Sequence, residues 1–253
     1  MAQQQQREQR TVLITAGTKG IGLAIARAFA RENYHLALTG RDPDLKDILT
    51  QEDFKDRTVE PITLELTDEK SIATAFQNAV DKLGTIDVLI NNAGVILRQS
   101  VIDVTWSAWD EVMDTNLKGA YFLSAQLARH CLERNHPGSI VNISSTHGIT
   151  AMADRSVYGI SKGAMIQMTK TMAIEWAEKG IRVNAVAPAT VMTESRQEVF
   201  NDPKNREKML SRIPSRKFVT EEEVAAAAYY LASNEAGSVT GHTLVLDGGM
   251  LSQ

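Results

Sequence analysis

Short apolar runs and helix-length amphipathic segments alternate along almost the whole chain, and that alternation leaves few folds open. Runs rich in Val, Ile, Leu and Ala occur at Thr11–Thr15, His35–Thr39, Ile62–Leu66, Ile86–Ile90, Ser139–Ile143, Arg182–Ala187 and Thr243–Leu246. Between them, apolar residues recur at helical spacing near 21–32, 69–83, 106–134, 156–179 and 221–233. Strands separated by connectors of that length imply right-handed crossovers and a parallel sheet. The expected fold is α/β: a doubly wound, seven-stranded parallel sheet with helices on both faces. Ligands on such sheets bind beyond the carboxyl ends of the strands.

The chain has 253 residues, 43% hydrophobic and 23% charged, which suffices for one sizeable core and predicts a single domain over 11–253 behind a polar, disordered tail at 1–10. A net charge of −4 argues against nucleic acid or an anionic membrane as partner. Cys131 is the only cysteine, which rules out an internal disulfide and fits a reducing compartment; Met1 to Arg10 lacks the apolar core of a signal peptide, and no apolar stretch is long enough to span a bilayer. A cytoplasmic protein without a metal site is expected. The segment of about 190–220, with Asn201-Asp202-Pro203 and Ile213-Pro214, is read as the longest irregular stretch and as a lid over substrate.

Two motifs carry chemistry. The first apolar run passes directly into Ala16-Gly17-Thr18-Lys19-Gly20-Ile21-Gly22 and then into a helix, so glycines fall at a strand-to-helix turn, where backbone can approach a pyrophosphate and helix N–H groups can bind it. The second is Tyr158-Gly-Ile-Ser-Lys162, with Ser145 thirteen residues upstream of the tyrosine. At (i, i+4) on one helix face the ammonium lies beside the phenol and favours phenolate, which lowers a pKa that starts near ~10. A tyrosine so tuned can exchange a proton near neutral pH.

With these motifs the chain resembles the short-chain dehydrogenases/reductases, from about Arg10 to the C-terminus. Thr15 to Gly22 is similar to the family's Thr-Gly-x-x-x-Gly-x-Gly, Asn91-Asn92-Ala93-Gly94 to its Asn-Asn-Ala-Gly, and Pro188 to Thr193 to the Pro-Gly-x-x-x-Thr segment that closes on nicotinamide. Leu246-Asp247-Gly248-Gly249 matches the usual last strand and turn. Ala16 and Ala189 stand where the family has glycine. The resemblance implies a Rossmann-type fold and hydride transfer between nicotinamide and a carbonyl carbon. In it Tyr158 gives its proton to the carbonyl oxygen, Ser145 (rather than its neighbour Ser144) orients that oxygen, Lys162 lowers the Tyr158 pKa and binds the nicotinamide ribose, and Asn116 holds a water that relays protons to Lys162. It further implies cofactor contacts from Gly17, Thr18, Lys19, Gly20, Ile21 and Gly22, from Asn92, Ala93 and Gly94 at the adenine ribose, from Leu66 at adenine, and from Pro188, Val191 and Thr193. Glu65 stands where the family often has Asp or Asn.

Cofactor choice is read at the end of the second strand, where an acid binds a ribose 2′-hydroxyl but a 2′-phosphate needs cations. Gly40 occupies the acid's place, Arg41 follows, and Lys19 adds a second positive charge, so NADP(H) is expected over NAD(H), with Asp42 and Asp44 opposing that preference. Val95-Ile96-Leu97-Arg98, Glu175-Trp176-Ala177 and the closing Gly248 to Ser252 resemble the gluconate 5-dehydrogenase and keto-deoxygluconate dehydrogenase members, with Arg98, His147 and Arg155 as candidate ligands of a small carbonyl or alcohol substrate. The rival is a 3-oxoacyl-carrier-protein reductase, for which Arg129 is in place but Ile174 replaces a second expected arginine; a silent nucleotide-binding regulator is the remote alternative, since all four catalytic positions are intact. Phe122, Leu123, Ala128, Met165, Met168, Met172 and Trp176 are expected to form the seam of a homotetramer.

Overall fold

The computed structural model describes residues 9–41, 48, 50–193 and 201–253, so nearly all of the expected N-terminal tail lies outside the described residues, as do Asp42 and Asp44. Seven parallel strands, β1 (Thr11–Ile14), β2 (His35–Gly40), β3 (Val59–Thr63), β4 (Val88–Asn91), β5 (Gly138–Ile143), β6 (Ile181–Pro188) and β7 (Thr243–Leu246), form one sheet in the order β3-β2-β1-β4-β5-β6-β7. The described helices are α1 (Gly20–Arg31), α2 (Glu69–Leu83), α3 (Trp106–Met113), α4 (Gly119–Glu133), α5 (Ser156–Trp176), α6 (Pro203–Leu210) and α7 (Glu221–Ala232). None of them is long and apolar enough to cross a membrane.

Alternation along each strand feeds two cores. Val12 and Ile14 point to one face, against Ile25 and Phe29 of α1 and Val224 and Leu231 of α7. Leu13 points to the other, with Phe76, Leu123, Leu127 and Met165. Helix starts are written locally: the Asp68 carboxylate accepts the N–H groups of Lys70 and Ser71, and Thr220 with Glu223 forms a reciprocal capping box.

Four expectations need correction. The third strand runs three residues earlier than expected, over Val59–Thr63, with Pro61 inside it opposite Leu38. Proline is tolerated there because β3 is the sheet edge and no ladder bond is lost. The helix expected over 106–134 is two helices joined by a π-turn at Asp114–Lys118. Within 190–220, Asp202 caps α6 and Pro203 begins it, and Val191 pairs with Val219, so the described part of that segment is ordered structure rather than a long irregular loop. Finally, Leu123, Ala128 and Met165 belong to the chain's own core and are buried; of the expected seam, Phe122, half exposed, and Trp176 line a groove with Met168 and Met172, which also pack in the core.

A buried polar network pins α4 and α5 to the sheet. Asn91 Nδ2 donates to Ser124 Oγ at 2.9 Å and to Asn142 Oδ1 at 2.8 Å, and Asn142 Nδ2 donates to Thr169 Oγ1 at 2.9 Å. The Ser124 and Thr169 hydroxyls then donate to the carbonyls of Ala120 and Met165 one turn back. Asn142→Ala cuts the links to Asn91 and to Thr169, two of the three between elements, and strands buried polar groups on both partners, so equilibrium urea unfolding is expected to show a loss of about 2–4 kcal/mol.

Candidate active site

Strand order reverses at β1, flanked by β2 on one side and β4 on the other, and in such sheets the ligand crevice lies beyond the carboxyl ends of the strands at that point. Thr15 fastens its two walls. The Thr15 hydroxyl donates to Ile90 O at 3.3 Å and accepts the N–H groups of Asn92 at 2.8 Å and Ala93 at 2.9 Å. Sequence reasoning took Thr15 only as the start of a motif; its signal was a threonine at a strand end directly before a glycine turn. Asn92 does not present its amide to the crevice, because Nδ2 donates to the carbonyls of Thr15 and Ala16 and so braces the turn from β4.

The turn fits a dinucleotide. A Cβ on Gly22 would lie 2.1 Å from Ala16 O and 2.7 Å from Asn92 Nδ2, so only glycine lets the chain wrap this tightly at the head of α1. Lys19 is the N-cap residue of α1 but makes no side-chain cap, and no acidic residue lies in the first turn, which leaves helix N–H groups for an anion. The two alanines differ in consequence. Ala16 sits at φ +51°, in the left-handed region, which costs an L-residue about 1–2 kcal/mol relative to glycine. Ala189 has no such conformation, and its N–H is bound to Leu246 O at 2.8 Å, so the methyl group there strains nothing. Arg41 directly follows β2, and Gly17 N–H donates to Thr39 O at 3.2 Å, which brings the glycine turn alongside the end of β2. Leu66 is buried beyond β3, and Glu65 is spent locally, its carboxylate accepting from the N–H and hydroxyl of Thr67.

Deeper in the crevice, Lys162 is buried on α5 one turn below Tyr158; its Nζ donates to Ile143 O at 2.7 Å. Burial pulls its pKa down to about 8. Asn116, fully buried in the π-turn, donates to Val95 O and Ser161 Oγ and accepts from Val95 N–H at 2.7 Å. Those bonds explain the interrupted helix, since the widened turn delivers the amide to α5 and to the loop after β4. A Cβ on Gly94 would lie 3.2 Å from Asn116 Oδ1 and 3.5 Å from Lys162 Nζ, so the three residues converge.

Ser145, just past β5, accepts the His147 N–H and contacts His147 Nδ1 at 3.3 Å, and the His147 ring packs edge-on against Tyr158 with centroids 5.8 Å apart. The neighbouring Ser144 instead donates to Lys162 O at 2.9 Å, a structural bond that removes it as rival. Gly148 closes the turn against α5: a Cβ there would lie 2.6 Å from the Lys162 carbonyl carbon. Pro188 ends β6 beside Ser145, and Val191 is buried where it pairs with Val219; Thr193 is the last described residue before 201. Of the substrate candidates only His147 meets the catalytic residues. Arg155 flanks the start of α5 and donates to Asp154 O, and Arg98 is exposed in the loop after β4. A hydroxyl donor, a phenol and a buried cation grouped beyond a dinucleotide turn can protonate a carbonyl oxygen while hydride reaches its carbon.

Comparison with known proteins agrees with this geometry. A family model described as enoyl-(acyl carrier protein) reductase matches residues 15–251. Glucose 1-dehydrogenase 2 of Bacillus subtilis is 38% identical over 95% of this chain and 94% of its own length. The 3-oxoacyl-(acyl-carrier-protein) reductase of Thermotoga maritima is 38% identical over 96% of this chain and 98% of its own. Among solved structures, a gluconate 5-dehydrogenase from Burkholderia cenocepacia in complex with NADP and tartrate superposes with a TM-score of 0.89 at 30% identity, covering 96% of each chain.

The buried ammonium has a measurable signature. Its folded pKa of about 8 lies below the unfolded value of 10.5, so between those values the unfolded chain binds the extra proton and stability rises with pH; the benefit is lost as pH falls to 8, where burial of the charge is felt in full. Urea unfolding of the ligand-free protein should therefore show the wild type gaining on Lys162→Met by about 3 kcal/mol from pH 8 to pH 10.5, at 1.36 kcal/mol per pKa unit.

Proposed function

The chain belongs to the short-chain dehydrogenase/reductase family, and on that premise we propose that it is an NADP(H)-dependent oxidoreductase interconverting a carbonyl and a secondary alcohol on a small sugar acid or similar keto substrate. The observation that carries the reading is the grouping of Ser145, Tyr158 and buried Lys162 near Gly94, beyond a strand-to-helix turn that fits a dinucleotide. A bound nicotinamide supplies or accepts the hydride. Tyr158 donates its proton to the carbonyl oxygen and takes it back in oxidation. Ser145 holds that oxygen with its hydroxyl, and Lys162 favours the phenolate by its charge. The Asn116 side chain is committed to Val95 and Ser161, so its part in proton relay falls to the main chain of the π-turn.

Selection of NADP(H) is assigned to Arg41 and Lys19, with Gly40 leaving room for the 2′-phosphate; NADP bound to the Burkholderia relative supports it. That relative's name and the glucose dehydrogenase likeness support the sugar-acid class. The carrier-protein reductase reading has the Thermotoga relative in its favour, but the exposed face of α5 presents Ile174, 82% exposed, where a second cation for an acidic partner is needed. A second copy of the chain is the proposed occupant of the groove between α4 and α5, lined by Tyr121, Phe122, Met168, Met172 and Trp176 and about 420 Å³ in volume.

Steady-state kinetics test the assignment. With NADPH, 5-ketogluconate should be reduced and an acetoacetyl thioester should not; the reverse result would favour the carrier-protein reductase. Tyr158→Phe should keep fold and cofactor binding while turnover falls by about 10²–10⁴. Arg41→Ala should lower kcat/KM with NADPH about 10- to 150-fold and leave the NADH value within a few-fold, as expected for loss of a charge-assisted hydrogen bond to phosphate.

A further inference from the structure

A small recess of about 80 Å³ opens beside His147, between the turn after β5, the start of the segment after β6 and the end of α6. Its polar lining includes His147, Thr150, Thr190 and Arg212, and its apolar walls include Met209 and Met250. No carboxylate lines it among the described residues. The His147 ring spans from Ser145 Oγ, 3.3 Å from Nδ1, to Met152 Sδ, 3.2 Å from Nε2. The recess is therefore one imidazole away from the oxygen-holding serine.

Arg212 is the one arginine or lysine in that lining among the described residues, and its backbone is fixed. Its N–H donates to Met209 O at 3.3 Å, its carbonyl accepts from Gln253 Nε2 at 3.2 Å, and the next residue, Ile213, is buried. The guanidinium has no ion pair or hydrogen bond among the described residues. One turn further on, Arg216 takes the nearby acid, pairing with Glu207 at 3.2 Å. A planar, permanently charged fork at the exposed rim of a recess that Thr150 and Thr190 also line suits a carboxylate, with which it can form two parallel N–H···O bonds.

Resting on the oxidoreductase reading above, we propose that Arg212 is the specificity-determining residue of this site: it holds the carboxylate of a small keto or hydroxy acid in the recess, with Thr150 and Thr190 bonding that carboxylate or the neighbouring hydroxyl. His147 then sets the span between carboxylate and reacting carbonyl. Neither Arg98 nor Arg155 lines this recess, so the acid-binding role passes from those candidates to Arg212.

The test compares wild type, Arg212→Gln and Arg212→Lys with NADPH on 5-ketogluconate and on diacetyl, an uncharged diketone. The ratio of kcat/KM for the keto acid to that for the diketone should fall about 10- to 150-fold in Arg212→Gln, the range of one lost hydrogen bond to a charged group, chiefly through KM, and should recover in part in Arg212→Lys. An equal fall on both substrates, an unmoved ratio, or a wild type that prefers the diketone would overturn the role of Arg212 while leaving the oxidoreductase reading intact. If no variant, wild type included, oxidised NADPH with either carbonyl, that reading would fail as well, and the proposal with it.

Discussion

One enclosed ammonium organises the rest of the structure. Lys162 is almost wholly buried, and among the described residues the one oxygen its Nζ bonds is that of Ile143. A cation left so poorly hydrated is unfavourable in itself, and burial lowers its pKa to about 8. Everything that positions Lys162 must therefore be rigid enough to resist its expulsion towards water. Ser144 grips the Lys162 carbonyl, Asn116 grips Ser161 beside it, and the Asn91–Asn142–Thr169 chain holds the same helix to the sheet two turns further on.

This division of labour separates holding from reacting. The polar residues deepest in the molecule, Asn91, Asn142, Ser124 and Thr169, touch only protein, and they convert the strand ends into fixed coordinates for the helices. Thr15 does the same for the crevice by joining β1 to the chain leaving β4. The reacting groups stand on that frame with fewer bonds of their own, as they must if they are to exchange partners with a substrate.

What could be read from the sequence follows the same line. The strands β1, β2, β4, β5 and β6 were legible because nearly continuous burial writes a continuous apolar run, and the glycine turn because close backbone approach forbids side chains. Register at β3 was not, since Pro61 argues against a strand unless one knows that it lies at the edge, which is a fact of topology. The π-turn at Asp114–Lys118 was hidden for a related reason: helical periodicity continues across it, and the bonds that open it come from Val95 and Ser161, both distant in sequence. Met165 was placed in an outer seam although it is fully buried in the chain's own core, because apolar spacing on a long helix does not say which of two faces meets the sheet. Arg212 was passed over because it sits in a polar stretch where one arginine looks like the next; only the path of the chain after α6 brings it to His147.

The contact between Gly148 and α5 has a consequence for how this protein can vary. The turn that carries Ser145 rests directly on the backbone at Lys162 and Gly163: a Cβ on Gly148 would lie 2.7 Å from Lys162 O and 2.8 Å from Gly163 N, and one on Gly163 would lie 3.2 Å from Gly148 O. The gap between serine and helix is thus set by two absent side chains acting as a spacer of zero thickness. A single inherited methyl group at Gly148 would wedge the serine away from the tyrosine without touching cofactor or substrate, so drift at this position is closed off even though the residue carries no chemistry of its own.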